Sequence, residues 1–212
     1  MSSVEKLIDS NGSLVLVIRN FIDQQDAKYL CNYLTQTIKW RKEEVVMYGK
    51  RIMQPREIYA CGDLGLKYRY SGLELEVEPW IPDVKAIIDQ ISDNIEAFNR
   101  NLALPEDLKF PTQIKLFDSC LLNLYRTGAD YISYHRDKEA LGPNNAVLTI
   151  SLGGTRNFYF KGKGETIKTK LENGDCVIMC GNTQRDYTHS IPKRAVADLR
   201  ISLTYRLIGT DR

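Results

Sequence analysis

The 212-residue chain is 43% hydrophobic and 26% charged, a globular balance that excludes a disordered or fibrous polypeptide and suits one domain with a substantial core. Its net charge of +2 does not by itself announce a polyanion partner, and no apolar run approaches the length of a membrane span. The five cysteines (Cys31, Cys61, Cys120, Cys176, Cys180) are odd in number and form no C-x-x-C pair, which argues against a disulfide scaffold. The start of the chain carries an early acid and no apolar core of signal-peptide type. A reducing intracellular compartment is therefore expected, nuclear in a eukaryote and otherwise cytoplasmic. Nothing requires more than a monomer.

Residues 13–19 (Ser-Leu-Val-Leu-Val-Ile-Arg) read as a buried strand. Asp23 then caps a helix running to about Leu34, with Ala27, Leu30, Cys31 and Leu34 at helical spacing, and Trp40 ends this unit. Pro82 suits a first helical turn, and the spacing predicts a helix to about Asn99. Its stripe of Val84, Ile87, Ile88, Ile91 and Ile95 is expected to pack on a sheet. The stretch 101–118 is long for a connection and receives no role. From Leu121 onward the texture changes to short strands: 146–152 ending at Gly153-Gly154, 157–161 ending near Gly162, 175–180 after Asn173-Gly174, and 199–207. No repeat, low-complexity tract or linker marks a domain boundary.

Charge is unevenly spread. Residues 39–56 and 156–170 are basic, the latter through Arg156, Lys161, Lys163, Lys168 and Lys170 against Glu165, while 74–96 is acidic. A polyanion-facing side with a solvated back has this pattern, and so do two solvated faces of opposite sign.

The chain has two histidines. His135 and Asp137 form an H-x-D pair in Tyr-Ile-Ser-Tyr-His-Arg-Asp-Lys-Glu (131–139), and His189 follows in Tyr-Thr-His-Ser-Ile-Pro (187–192). Two His and one carboxylate can occupy one face of an octahedral Fe(II), leaving positions open for a co-substrate and O2. In an extended strand His135 and Asp137 point the same way and Arg136 points elsewhere. Unrelated core or surface histidines are the alternative for H-x-D alone. Downstream, Arg200 and Arg206 are spaced R-x5-R. A planar, permanently charged guanidinium suits the far carboxylate of a bidentate 2-oxo acid. Asn123 and Tyr125 share one strand face just before the metal motif, placed to hydrogen-bond the co-substrate; taken singly, each is as readily structural. Strand spacing and ligand order together suggest an α+β, mainly β fold: a double-stranded β-helix (jelly-roll) core with N-terminal helices.

The series Asn123-x-Tyr125, His135-x-Asp137-x-Glu139, His189, Arg200-x5-Arg206 resembles the AlkB family of Fe(II)/2-oxoglutarate dioxygenases, closest to its animal DNA-repair branch. The resemblance covers roughly residues 14–207. It includes Pro55-Arg56, Gly62-Asp63-x-Gly65-Leu66, Tyr68-x-Tyr70-Ser71-Gly72-Leu73 and Pro79-Trp80-Ile81-Pro82. It implies one domain over 1–212, with a nucleotide-recognition lid at about 40–75 and a catalytic jelly roll at about 119–209.

The implied reaction consumes Fe(II)-activated O2 and 2-oxoglutarate, releases succinate and CO2, and removes a base N-methyl as formaldehyde. The implied substrates are 1-methyladenine and 3-methylcytosine in DNA. An RNA demethylase is the alternative, and a non-catalytic nucleic-acid-binding module a more distant one. By this resemblance His135, Asp137 and His189 would hold iron, and Asn123, Tyr125, Arg200, Ser202 and Arg206 would seat 2-oxoglutarate. Tyr68 and Tyr70 would stack on a flipped base, with Glu139 accepting from an exocyclic amino group. Tyr48 falls where duplex-acting relatives carry a wedge, with Arg56 nearby as a phosphate or base contact. For Tyr68 and Tyr70 a half-buried strand face is the plain alternative. Ser202 stands where the family has Asn in R-x-N-x-x-x-R, from which altered co-substrate affinity is expected. The segment after Phe160 is brief where the duplex-specific relative carries a longer basic loop, so grip on an opposite strand is in doubt.

Overall fold

An uninterrupted apolar run such as 13–19 needs cover on both of its faces, because alternate side chains point to opposite sides of a strand. The computed structural model, which describes residues 3–47, 49–112, 115–138 and 143–209, supplies that cover. β1 (Ser3–Ser10) and β2 (Ser13–Arg19) form a hairpin through Asn11 and Gly12, both at positive φ as a two-residue hairpin turn demands. α1 (Gln24–Thr37) follows, capped by the Asp23 carboxylate, which accepts from the N–H groups of Gln25 and Asp26. Next come β3 (Glu44–Met47), β4 (Lys50–Met53), β5 (Glu57–Gly62), β6 (Lys67–Tyr70), β7 (Leu73–Glu76) and the short β8 (Glu78–Pro79). Two helices, α2 (Pro82–Asp93) and α3 (Ile95–Asn101), lead to β9 (Ser119–Tyr125) and β10 (Ile132–His135). The chain closes with β11 (Val147–Gly153), β12 (Arg156–Lys161), β13 (Thr166–Leu171), β14 (Cys176–Gly181), the single turn α4 (Thr183–Asp186), β15 (Thr188–Ile191) and β16 (Arg200–Arg206).

Eight strands pair as a large sheet in the order β1-β2-β14-β11-β16-β9-β5-β8, and four as a small sheet, β10-β15-β12-β13. This is the expected jelly roll. One face of the large sheet packs on the helices: Leu14, Leu16 and Ile18 of β2 join Leu30 and Leu34 of α1 and Val84, Ile88 and Ile91 of α2. The other face meets the small sheet: Val15, Val17, Val177 and Met179 pack on Phe158, Phe160 and Leu171. Each such apolar side chain contributes roughly 1.5–3 kcal/mol by leaving water.

Three regions differ from expectation. The single helix expected from Pro82 to about Asn99 is broken at Asn94 (φ −120°, ψ 29°), whose side-chain amide donates to the Gln90 carbonyl. An asparagine that competes for helix carbonyls ends the run, yet the apolar stripe continues into α3 through Ile95. The stretch 101–118 has a structural role: Leu102, Leu104, Leu108, Phe110, Leu116 and Phe117 close the end of the helix-side core. It is pinned there by the Asn99 side chain, which donates to the Phe110 carbonyl and accepts from the Phe110 N–H. Within 40–75, the β3–β4 and β6–β7 hairpins stand apart from both sheets, but β5 is a strand of the large one.

Among the described residues, no helix is long and apolar enough to cross a membrane. All five cysteines are buried and unpaired.

Candidate active site

Pairing register brings the two histidines together. His189 of β15 sits directly opposite His135 of β10 on one side and Phe160 of β12 on the other. The imidazole centroids are 4.2 Å apart, and the Phe158 ring stacks on His189 at 5.5 Å. His135 Nδ1 lies 3.0 Å from the Ser133 carbonyl oxygen, which can only accept, so the proton belongs on Nδ1 and the Nε2 lone pair faces the cavity.

β10 ends at His135, so Asp137 reaches the cavity from the following turn and not, as expected, from an extended strand. The Asp137 N–H donates to Gln184 Oε1 (2.9 Å), and its carboxylate Oδ1 accepts from Arg206 Nη2 (2.6 Å). Released from strand alternation, Arg136 also lines the cavity mouth.

The three side chains fit a divalent ion. His135 Nε2 is 3.8 Å from Asp137 Oδ1, His189 Nε2 is 3.4 Å from Oδ2, and all three ligand atoms lie within 4.8 Å of one another. Ligands about 2.1 Å from a first-row metal, on one octahedral face, stand about 3 Å apart. Protonation also suits binding. Burial opposes charge on Asp137, but Arg206 and His189 outweigh it and hold the carboxyl well below the usual range. Burial and the neighbouring His189 lower His135 to about 3, leaving it neutral with a lone pair to offer.

A second cluster fits a dicarboxylate. β16 alternates strictly: Ile201, Leu203 and Tyr205 face the helices, while Arg200, Ser202, Thr204 and Arg206 face inward, all buried. Arg200 Nε donates to Ser151 Oγ (2.8 Å), and its guanidinium carbon lies 5.3 Å from the Tyr125 ring centre. Neither Nη atom of Arg200 makes a well-formed hydrogen bond among the described residues, although the Tyr125 hydroxyl is close enough to favour the charge. Burial lowers this guanidinium to about 10. A buried cation with two idle donors is costly alone and well matched to a bidentate carboxylate.

Arg206, six residues along the strand, has its Cα about 20 Å from that of Arg200. Arg206, bonded to Asp137, lines the cavity, whereas Arg200 is not itself one of its lining residues and packs on the ring of Tyr125, which is. Between them Asn123, registered with Ser202, donates from Nδ2 to Ser202 Oγ at a long 3.4 Å. Asn123 Oδ1 accepts from Arg56 Nε at 2.7 Å.

The same cavity is lined by Tyr68 and Tyr70, ring centroids 5.5 Å apart and edge to face. The Arg206 guanidinium lies 5.4 Å from the Tyr68 ring centre, and Gln54 Nε2 donates to the Tyr70 hydroxyl at 2.8 Å. Burial raises the Tyr70 phenol. Arg56, expected as a phosphate or base contact, is buried in the cavity wall with its Nε donating to Asn123. Tyr48 and Glu139 lie outside the described residues.

Sequence reasoning missed Gln184, Ser133, Ser151, Gln54 and Arg156. Arg156 is also buried against the Tyr125 ring, 5.4 Å from its centre, and donates to the Asp130 and Pro192 carbonyls. Ser151 had a readable signal: Thr149 and Ser151 alternate with Leu148, Ile150 and Leu152, which puts polar groups on one face of a strand buried on both.

The profile of the 2OG-Fe(II) oxygenase superfamily matches residues 14–206. The chain belongs to this superfamily. DNA oxidative demethylase ALKBH2 of Arabidopsis thaliana is 30% identical over 234 residues, covering 96% of this chain and 69% of that protein. Human ALKBH2 is 30% identical over 176 residues (77% and 60%), and human alpha-ketoglutarate-dependent dioxygenase alkB homolog 3 is 28% identical over 213 (94% and 68%). The chain thus spans between 60% and 69% of the length of these relatives. The solved structure of OsALKBH1, 19% identical, superposes with a TM-score of 0.64 over 91% of this chain and 97% of that one, and shares its fold. The protein is an AlkB-family dioxygenase, with Fe(II) as its metal and 2-oxoglutarate and O2 as co-substrates.

Proposed function

We propose that this enzyme oxidatively removes methyl groups from ring nitrogens of DNA bases, 1-methyladenine and 3-methylcytosine among them, yielding formaldehyde, succinate and CO2. The observation that carries this reading is the lining of one cavity: the Tyr68/Tyr70 pair shares it with His135, Asp137 and His189. Paired aromatic rings facing a metal site suit a planar base taken out of its stack. The relatives named DNA oxidative demethylase support DNA as the polymer.

His135, Asp137 and His189 would hold the metal, which with 2-oxoglutarate would supply the O2 activation needed to oxidise a methyl C–H bond. Arg200, packed on Tyr125, takes the far carboxylate of 2-oxoglutarate, while Arg206, Asn123 and Ser202 line its metal-proximal end. Arg206 has a second task, keeping Asp137 ionised in a buried site. Tyr68 and Tyr70 orient the base, and Arg56 steadies Asn123. The enzyme works as a monomer in a reducing intracellular compartment, a setting that five buried free thiols suit.

Formaldehyde release from a 1-methyladenine oligonucleotide, presented as single-stranded DNA, duplex DNA and matched RNA, tests the proposal. Release is expected on DNA, dependent on 2-oxoglutarate and abolished in His135→Ala. Succinate formation without formaldehyde on any of the three polymers would overturn it, and preference for RNA would move the assignment to RNA.

A further inference from the structure

Elsewhere on the molecule lysines sit on acids: Lys6 on Asp9, Lys67 on Glu74, Lys85 on Asp89 and Lys109 on Glu106. On the small sheet they sit on tyrosine rings. Lys161 Nζ lies 5.8 Å from the Tyr134 ring centre, Lys168 Nζ 5.6 Å from Tyr159, and Lys193 Nζ 4.6 Å from Tyr131. None of these three lysines, nor Lys170, forms an ion pair with an acid among the described residues, whereas Lys163 lies close enough to Asp186 to help lower its carboxyl. Glu165 and Glu172 stand at the two ends of β13, and Glu5 and Asp175 pair with Arg19.

Strand parity explains the arrangement. Phe158 and Phe160 of β12 turn inward onto His189, so Asn157, Tyr159 and Lys161 turn outward. The β12–β13 register sets Lys168 beside Tyr159 and Lys170 beside Asn157. β15, on the other side of β12, places only small residues next to this row: Ser190 beside Tyr159 and Thr188 beside Lys161. Tyr134 is exposed on β10, the immediate neighbour of the inward His135. The row therefore begins one residue from His135, on the outer face, and runs across the sheet to a shallow pocket lined by Tyr159, Lys168, Lys170, Arg19 and Glu172.

We infer that the outer face of the small sheet is a track for single-stranded DNA leading away from the active-site mouth. The choice of DNA rests on the function proposed above; the track itself rests on the tyrosine–lysine row. A tyrosine face takes an unpaired base of any sequence by stacking, and lysines beside it neutralise the phosphates between bases. The lysine stem resting on each ring is flexible and can yield to a base, its ammonium group then falling onto the backbone. A duplex keeps its bases within its own stack and offers these rings nothing. An acidic protein surface would engage the lysines and leave the tyrosines without a task.

The test is binding of a fluorescent, unmethylated 20-nucleotide DNA strand by the full chain, followed by anisotropy across a salt series. Lys168→Ala/Lys170→Ala is expected to weaken binding about tenfold at low salt and to reduce the slope of log affinity against log salt by about 1.4, the value for two lost phosphate contacts. Tyr159→Ala is expected to weaken binding about fivefold with the slope unchanged. Both variants are expected to retain wild-type turnover of a methylated trinucleotide, too short to reach Tyr159, Lys168 and Lys170, and wild-type substrate-free succinate formation. Unchanged strand affinity in both variants overturns the track. A loss confined to the lysine variant also overturns it, leaving an unspecific cationic patch. Tighter binding of the matching RNA, lost in both variants, overturns the assignment to DNA. If no form demethylates the trinucleotide, the proposed function fails while strand binding still decides the track.

Discussion

The two faces of the large sheet are built by the same strands and have opposite characters. Toward the helices, β9, β11 and β16 present Leu122, Leu124, Leu148, Ile150, Ile201 and Leu203. Toward the small sheet the same strands present Asn123, Tyr125, Thr149, Ser151, Arg200 and Arg206, all buried. The inner face is itself divided, because β2 and β14 fill their share with Val15, Val17, Val177 and Met179. Half of the interface between the sheets thus holds them together, and the other half holds a reaction. Buried polar groups are tolerated there because most are partnered in the fold, and the main exception, Arg200, suits the co-substrate.

If that division is real, substitutions one residue apart on β16 should act on different properties. Leu203→Ala, on the helix side, is expected to cost about 3 kcal/mol of unfolding free energy and to leave the KM for 2-oxoglutarate unchanged in protein that stays folded; chemical denaturation and steady-state kinetics measure the two. Arg200→Met should do the reverse. It removes charge-assisted bonds to the co-substrate and is expected to raise that KM about 10- to 100-fold. Stability should hold or improve, because a buried cation is replaced by an apolar chain of similar length. A stability loss of several kcal/mol would show that Arg200 is structural.

Gln184→Leu removes the acceptor for the Asp137 N–H. A loosened carboxylate is expected to lower metal affinity about tenfold by anaerobic Fe(II) titration, whereas a residue serving only the fold would leave affinity unchanged. The smallest effect should come from Ser202→Asn. It restores an amide beside Asn123 and is expected to lower the KM for 2-oxoglutarate a few-fold; no change would show that the serine hydroxyl already serves.

Much of the site was legible in the sequence because its chemistry is rare there: two histidines, an H-x-D pair and two arginines at like parity leave few arrangements. What the chain could not disclose was cross-strand register. That His135 faces His189 depends on a β10–β15 pairing between residues far apart in sequence, as do the bonds of Arg56 to Asn123 and of Gln184 to Asp137. The fold shows the same boundary. The run 13–19 announced a strand covered on both sides, whereas β1 went unread because, as an edge strand, it buries only Ile8 and so carries no periodic signal. The break at Asn94 was hidden inside an apolar stripe that continues past it. Residues 101–118 were unassigned because an irregular segment that plugs a core has no period at all.

The strict alternation of β16 bears on how this gene can change length. Inserting or deleting one codon within 200–206 would exchange the two faces from that point onward, sending leucine into the cavity and arginine into the helix layer. The turn between β12 and β13 has no such constraint, since an added Cβ at Gly164 would meet nothing within 4 Å. Descendants of this sequence should therefore differ in length at that turn and share an invariant count of residues in the last strand.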